Sequence, residues 1–259
     1  MKKDIHPSTK SPWWPETWSP SKGRPEYSAP SKPYNYEDVA KEIMPTNEDI
    51  SCELQLQVIG DLVPLDFHIS HNECWENVKI FEDKDWFRPF QPKEGITNDR
   101  ESVLLYGLEG DQPTSVTGLS HIEAKLGYMP NENEFKYPTI AYKELTCIHS
   151  VFEYFDMGRS FFIRLNAGGF YPWHRDHYHL KRETFRLIAF LGNNNNDHLH
   201  WVINGVQFNA LPNTVYYIDT RKAHRLNASH HKCDMVVMNV KKDWLNVNRL
   251  LTHVKHKGG

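Results

Sequence analysis

The chain has 259 residues and a formal net charge of −3, so it is long enough to bury a sizeable core. Proteins dedicated to nucleic acids or membrane surfaces usually carry a basic stripe, and a near-neutral balance argues against both functions. No apolar run approaches the roughly 20 residues of a membrane helix. We expect no signal peptide, because no apolar core follows Met1.

The cysteines predict neither a disulfide framework nor a zinc site. None of the four forms a C-x-x-C pair, and their spacing is irregular. We therefore expect reduced thiols in a cytoplasmic protein, at Cys52, Cys74, Cys147 and Cys233.

Residues 1–35 differ in composition from the rest of the chain. Proline recurs there too often for regular structure, and lysine and serine are frequent. This composition predicts a disordered arm, although the tryptophans Trp13, Trp14 and Trp18 also fit an arm that lies extended across the folded body. We expect residues 36–259 to form a single domain whose β core spans about 161–240.

The first part of that domain shows mixed patterns. Polar and apolar residues alternate over Glu53–Val58, which predicts a half-buried strand. Apolar residues at helical spacing predict a helix over Tyr142–Phe155, with Gly158 just beyond it as a stop signal. The remaining predictions are a helix at Tyr36–Ile43, a strand at Ser102–Tyr106 and a helix at Ser120–Leu126.

From Phe161 onward, short apolar segments alternate with turn residues. Asn204-Gly205 lies between two such segments and is a preferred sequence for a two-residue hairpin. Many short strands with close turns predict an antiparallel sandwich or barrel with helices on its outside. The predicted strands are Phe161–Leu165, Thr184–Leu191, His198–Ile203, Val206–Phe208, Thr214–Ile218 and Met235–Val240.

The tripeptide His174-Arg175-Asp176 lies between the first two of these strands. On an extended chain, residues two apart project from the same face, so the imidazole and the carboxylate point at one spot. They supply two members of a 2-His-1-carboxylate facial triad, which suits non-heme Fe(II) and leaves coordination positions open. A hydrogen-bonded surface pair is the alternative interpretation.

A third ligand is expected from a later strand or turn. His224 is the best candidate, because it follows the predicted strand Thr214–Ile218. His200, in the hairpin, and His230 and His231, in a polar loop, are its rivals.

Over residues 161–240, under a third of its length, the chain resembles the 2-oxoglutarate- and Fe(II)-dependent oxygenases. The resemblance is strongest to the aspartyl/asparaginyl β-hydroxylase and proline hydroxylase group. It implies a mainly β protein with flanking helices, built on a double-stranded β-helix (a cupin-like jelly roll), with iron held by His174, Asp176 and His224. The matching segments, in order, are Arg164–Gly169, His174–Asp176, Phe185–Ile188, Tyr217–Asp219, His224 and Asn227.

The chain departs from this group where the group anchors its co-substrate. An arginine ten residues past the distal histidine usually binds the far carboxylate of 2-oxoglutarate, but Asp234 stands here and is expected to repel it. Ile188 stands where many members have a histidine. Arg186, inside an apolar strand, is therefore our first choice as the anchor, since arginine pairs well with carboxylates. A structural salt bridge is its alternative role, and further candidate anchors are Arg225, Lys232 and Arg164.

The resemblance implies a dioxygenase that uses Fe(II), 2-oxoglutarate and dioxygen to hydroxylate an amino acid or a peptide or protein side chain. The alternative is a cupin-type metal-binding barrel that does not use 2-oxoglutarate. Such a barrel would be an isomerase, a lyase or a binding module without catalysis. Residues 36–150 carry no motif that identifies the substrate.

Overall fold

The structure is a computed structural model that describes residues 45–90, 100–176, 183–191, 199–228 and 231–254. The arm predicted at residues 1–35 and the helix predicted at Tyr36–Ile43 lie outside the described residues.

The strands form two antiparallel sheets. The larger sheet contains β1 (Leu62–Pro64), β2 (Arg88–Pro89), β3 (Arg100–Gly107), β4 (Tyr137–Pro138), β5 (Met157–Leu165), β7 (Thr184–Phe190), β10 (Thr214–Ile218) and β12 (Cys233–Lys241). The smaller sheet contains β6 (Phe170–His174), β8 (Leu199–Ile203), β9 (Val206–Ala210) and β11 (His224–Asn227). The strand order is β1-β10-β7-β12-β5-β3-β2 in the larger sheet, where β4 also pairs with β3, and β6-β11-β8-β9 in the smaller one.

The eight successive strands from β5 to β12 form a jelly roll. Four of them lie side by side as β10-β7-β12-β5, and the other four form the smaller sheet. The hairpin between β8 and β9 turns at Asn204 and Gly205, both of which have positive φ, as a type I′ turn requires. The predicted fold class, a mainly β, cupin-like jelly roll with flanking helices, is thereby confirmed.

Helices cover the outer face of the larger sheet. They are α1 (Asn47–Ile59), α2 (His71–Asp83), α4 (Ile140–Glu144), α5 (His149–Tyr154) and α6 (Trp244–Thr252), with a 3-10 turn at Thr146–Ile148. The helix α3 (Leu119–Leu126) and a 3-10 turn at Glu132–Glu134 lie between β3 and β4 in the chain. The helix α3 matches the one predicted at Ser120–Leu126. Within the described ranges, no helix has the length and apolar character needed to cross a membrane.

Strand alternation divides the buried side chains into two clusters. On β12, Met235 and Val237 pack between the two sheets, whereas Val236 and Met238 pack under the helices. The same alternation on the other core strands decides which side chains can reach the interior of the jelly roll.

The strand predicted at Glu53–Val58 is wrong, because this segment belongs to α1. A capping box starts the helix: the Thr46 hydroxyl accepts from the backbone N–H of Asp49, and the Asp49 carboxylate accepts from the backbone N–H of Thr46. Glu53 is buried against Arg221 and Lys242, a tertiary pairing that the alternating pattern does not reveal.

The single helix predicted at Tyr142–Phe155 is divided. Helix α4 ends before Leu145, whose backbone is not helical, and α5 starts only at His149. Asn77 on α2 causes part of this interruption, because its side-chain oxygen accepts the backbone N–H of Cys147 at 3.0 Å. A polar contact from a neighbouring helix thus outweighs the helical pattern.

Gly158 lies inside β5 and does not end a helix. A Cβ atom at this position would collide with the backbone carbonyl oxygen of Glu132. The glycine therefore lets the Glu132–Glu134 turn lie directly against β5.

Candidate metal centre

Two histidines face each other on paired strands of the smaller sheet. His174 is the last residue of β6 and His224 is the first residue of β11, and the two are direct partners in the antiparallel register. Their ring centroids lie 4.2 Å apart. The pairing brings together residues that are 50 positions apart in the sequence, which supports His224 over its rivals.

Asp176 joins them from just beyond the end of β6. Its backbone N–H donates to the carbonyl of Thr220 at 3.1 Å, which holds the segment against the residues before β11. Its Oδ1 lies 3.3 Å from His174 Nε2. Arg175, between them in sequence, is exposed, as expected for alternation.

The three side chains fit a divalent metal. Each offers one ligand atom, all within 4.8 Å of one another, and no other such group occurs in the part of the chain that the structure describes. His224 Nδ1 is 2.8 Å from the carbonyl of Lys222, so that nitrogen carries the proton and Nε2 is left to bind a metal. Two imidazoles and one carboxylate are the donor set that suits non-heme Fe(II).

His224 is suited to metal binding because it resists protonation. Burial lowers the pKa of His224 to about 4, and the neighbouring His174 contributes to the shift. The neutral imidazole is therefore the dominant form near pH 7, and only the neutral form can bind a metal.

Because of this pKa shift, we expect the metal-free protein to lose stability at acidic pH. Folding lowers the pKa of His224 from 6.5 to about 4, so its contribution to stability is complete above pH 6.5 and is lost as the pH falls toward 4. The loss is on the order of 3 kcal/mol. Denaturation with urea across this range, with chelator present, measures it. A His224→Gln variant should show a flatter pH dependence, and an equally steep one would contradict the assignment.

Arg186 projects from β7 into the interior of the jelly roll and contacts the triad. Its Nη1 forms an ion pair with Asp176 Oδ2, and its Nε donates to Asn239 Oδ1 at 3.0 Å. Burial alone would raise the pKa of Asp176, but the Arg186 cation and the two histidines hold that pKa well below its ordinary value. The carboxylate is thus ionised and ready to bind a metal.

A buried carboxylate near Arg186, Glu132, was missed by sequence reasoning. Glu132 accepts from Arg159 Nη2 at 2.7 Å, from Thr184 at 2.6 Å and from Asn239 at 3.1 Å, and it lies 3.8 Å from Arg186 Nη2. Its segment carries no strand or helix pattern. The signal that could have indicated it is Gly158, the small residue against which it packs.

A second inward-facing arginine was also missed. Arg100 begins β3, and its guanidinium carbon lies 3.8 Å from the ring centroid of Tyr171 and 5.1 Å from that of Phe90. The Tyr171 ring in turn lies 4.3 Å from the His174 ring. One aromatic ring therefore separates this buried cation from a triad ligand.

The candidate anchors Arg164 and Lys232 do not reach the triad. Arg164 projects from the opposite face of β5, where it pairs with Asp234 at 2.7 Å and with Glu82 on α2 at 2.8 Å. Lys232 binds the same Glu82 oxygen at 2.8 Å. Asp234 also faces the helices, so the expectation that it repels a co-substrate is wrong: Arg164 neutralises it outside the jelly-roll interior.

Arg225 is likewise turned away from the candidate metal ligands. It lies between His224 and Leu226 on β11, both of which face inward, so its side chain projects from the other face of the smaller sheet. There its guanidinium carbon lies 5.2 Å from the Trp173 ring centroid, and burial lowers the pKa of Arg225 to about 10.

The rival histidines are not brought to the triad. His200 contacts Asn209 at 3.1 Å on the outward face of the smaller sheet, and His231 is exposed. His230 lies outside the described residues.

No protein-family model and no curated protein matches the sequence. Among solved structures, a prolyl hydroxylase in complex with a hypoxia inducible factor peptide fragment, from Trichoplax adhaerens, matches with a TM-score of 0.44. Its identity is 11%, over 86% of this chain and 97% of that chain. An oxidoreductase of the 2OG-Fe(II) oxygenase family from Burkholderia pseudomallei matches with a TM-score of 0.39 and 16% identity, over 77% and 93%.

A cupin-2 domain from Rhodospirillum rubrum matches with a TM-score of 0.30 and 11% identity, over 61% of this chain and 79% of that chain. At these identities the likeness concerns the fold alone. The structures similar to this chain thus include both oxygenases and cupins.

Proposed function

We propose that this protein is an Fe(II)- and 2-oxoglutarate-dependent dioxygenase that hydroxylates an amino acid or a side chain of a peptide or protein. The observation that carries the proposal is the convergence of His174, Asp176 and His224 at the end of one sheet of a jelly roll. The three residues occupy one side of a metal and leave the others for a chelating co-substrate and dioxygen.

The charges around the triad favour a doubly negative co-substrate. Asp176 and Glu132 are balanced by Arg186 and Arg159 before any metal binds, and His224 is neutral. Arg100 adds a buried cation one aromatic ring from His174. A divalent metal adds two positive charges, and buried charges need partners. A dicarboxylate supplies the two negative charges that a neutral or singly charged molecule lacks.

In this reaction the protein's own residues bind and orient. His224 presents Nε2 because its other nitrogen donates to Lys222, and Arg186 holds Asp176 ionised and in place. When bound, the iron would supply the redox chemistry that couples decarboxylation of 2-oxoglutarate to hydroxylation of a substrate C–H bond. The jelly-roll interior shields these groups from bulk water.

Arg186 and Arg100, which both face inward, are the candidates to bind the far carboxylate of 2-oxoglutarate. Arg186, the first choice from sequence, already engages Asp176 and Asn239. Arg100 is only 6% exposed, and its guanidinium lies one aromatic ring beyond His174. A dicarboxylate bound to the metal at one end would extend its other end toward Arg100, so we propose Arg100 as the anchor.

Replacing Arg100 by glutamine is expected to weaken 2-oxoglutarate binding roughly 10- to 100-fold, because a charge-assisted hydrogen bond contributes about 1.5–3 kcal/mol. The matched probe is 2-oxobutanoate, which keeps the keto acid but lacks the far carboxylate, and its affinity should not change. Calorimetry with Mn(II) in place of iron, which avoids turnover, measures both.

Loss of the preference for 2-oxoglutarate in Arg186→Gln, but not in Arg100→Gln, would make Arg186 the anchor. Metal binding by the wild-type protein without any 2-oxoglutarate binding would contradict the oxygenase proposal and favour the cupin-type alternative. Succinate release from 2-oxoglutarate under air, with a panel of free amino acids and peptides, then tests the substrate class.

A further inference from the structure

Asn239 lies inside the jelly roll at the position that connects Arg186 to Glu132. It is the direct register partner of Arg186 on the neighbouring strand, and it is fully buried. An asparagine in the middle of a buried strand is costly unless both ends of its amide are hydrogen-bonded.

Both ends of the Asn239 amide are used, and in one orientation. Its Oδ1 accepts from Arg186 Nε at 3.0 Å, while its Nδ2 donates to Glu132 Oε1 at 3.1 Å and to the carbonyl of Arg159 at 2.7 Å. If the amide flipped, its oxygen would face an anionic carboxylate and a carbonyl, and its nitrogen would face a cation. The surroundings therefore permit only the observed orientation.

Glu132 in turn is held firmly enough to set this orientation. Arg159 donates to it through Nε and Nη2, Thr184 donates to its other oxygen, and Gly158 lets its backbone lie against β5. The side chain is 7% exposed. A carboxylate with this many donors in a buried site does not change rotamer easily.

These contacts orient the carboxylate of Asp176, the candidate metal ligand. With Nε tied to Asn239, the Arg186 guanidinium directs Nη1 at Asp176 Oδ2. The remaining oxygen, Oδ1, is the one beside His174 Nε2. One oxygen of Asp176 is thus taken by a cation, and the other faces the metal position.

We propose that Asn239 is a positioning residue that, through Arg186, restricts Asp176 to binding the metal with one oxygen. This inference rests on the proposed function only in requiring a metal at the triad. A carboxylate that binds through one oxygen leaves three coordination positions open. A chelating co-substrate needs two of them and dioxygen needs the third. A carboxylate that binds through both oxygens would leave only two.

The test counts the water molecules on the metal. Mn(II) is bound to wild-type protein and to Asn239→Leu, and water-proton relaxivity is measured. Leucine has the same branched shape as asparagine but makes none of the three side-chain hydrogen bonds of Asn239. The wild type is expected to hold about three waters and the variant about two. The Mn(II) affinity of the variant should also fall roughly 10- to 100-fold, as for other residues that orient ligands.

The matched control is Asn246→Leu. Asn246 is an equally buried asparagine on α6 that bonds Asp156 and Asp243. Its replacement should lower the thermal midpoint and leave the water count unchanged. Arg186→Lys is a second variant. Lysine keeps the positive charge but lacks the planar guanidinium that donates to Asn239 through Nε and to Asp176 through Nη1. This variant too should lose about one water.

An unchanged water count in both Asn239→Leu and Arg186→Lys would overturn the positioning role and leave the oxygenase proposal intact. Absence of Mn(II) binding by the wild-type protein would overturn both. A loss of water in Arg186→Lys alone would show that Arg186 acts without Asn239, which also contradicts the inference.

Discussion

Asp176→Asn is expected to weaken metal binding more than about 100-fold and to abolish any 2-oxoglutarate turnover. The amide keeps the shape of the side chain but loses its negative charge. Arg186 and the two histidines lower the pKa of Asp176, so the folded protein contains the charged carboxylate. The effect exceeds the 10- to 100-fold typical of residues that only orient ligands, because the ligand itself loses its negative charge. Calorimetry with Mn(II) and succinate release with Fe(II) measure the two losses.

The matched control is His200→Ala. This histidine lies on the same small sheet but contacts Asn209 on its outward face. Its replacement should leave metal binding unchanged. Wild-type affinity in Asp176→Asn, or an equal loss in His200→Ala, would contradict the assignment of the triad.

Glu132→Ala is expected to lower the free energy of unfolding by about 3–5 kcal/mol, because removing one partner of a buried ion pair leaves the other charge uncompensated. Arg159 would lose two hydrogen bonds and Asn239 one, in a region where both charged side chains are less than 10% exposed. Urea denaturation monitored by fluorescence measures the change.

An exposed ion pair provides the comparison. Glu76 and Lys79 lie 2.9 Å apart on α2, with side chains 68% and 46% exposed. Glu76→Ala should change the free energy of unfolding by less than about 1 kcal/mol. A loss of similar size in the two variants would show that the Glu132 network contributes no more than a surface pair.

The jelly roll was predictable because its signals are local. The strand at Thr214–Ile218 and the Asn204-Gly205 hairpin follow from patterns within a few residues. The helix at Asn47–Ile59 was not predicted, because the alternation over Glu53–Val58 is the pattern of a strand. The capping box at Thr46 decides between them, and it lies outside that window.

The candidate site was predictable in part for the same reason. His174 and Asp176 are close in sequence, and His224 follows from the strand before it and the family resemblance. The anchor could not be assigned, because it depends on which face each arginine occupies. Arg164 and Arg186 both lie in apolar strands, yet one faces the helices and the other the triad.

By itself, the sequence determined the strand-rich core, the hairpin and the candidate ligand pair His174 and Asp176, since each depends on residue type and short spacing. It offered His224 as the first of several candidates for the third ligand. Only the tertiary structure decided that Arg186 and Arg100 face inward, that Asp234 is neutralised by Arg164, and that Glu132 lies beside Arg186. The physical reason is that strand register and sheet packing, which depend on contacts between distant segments, assign each charged side chain its face and its partner.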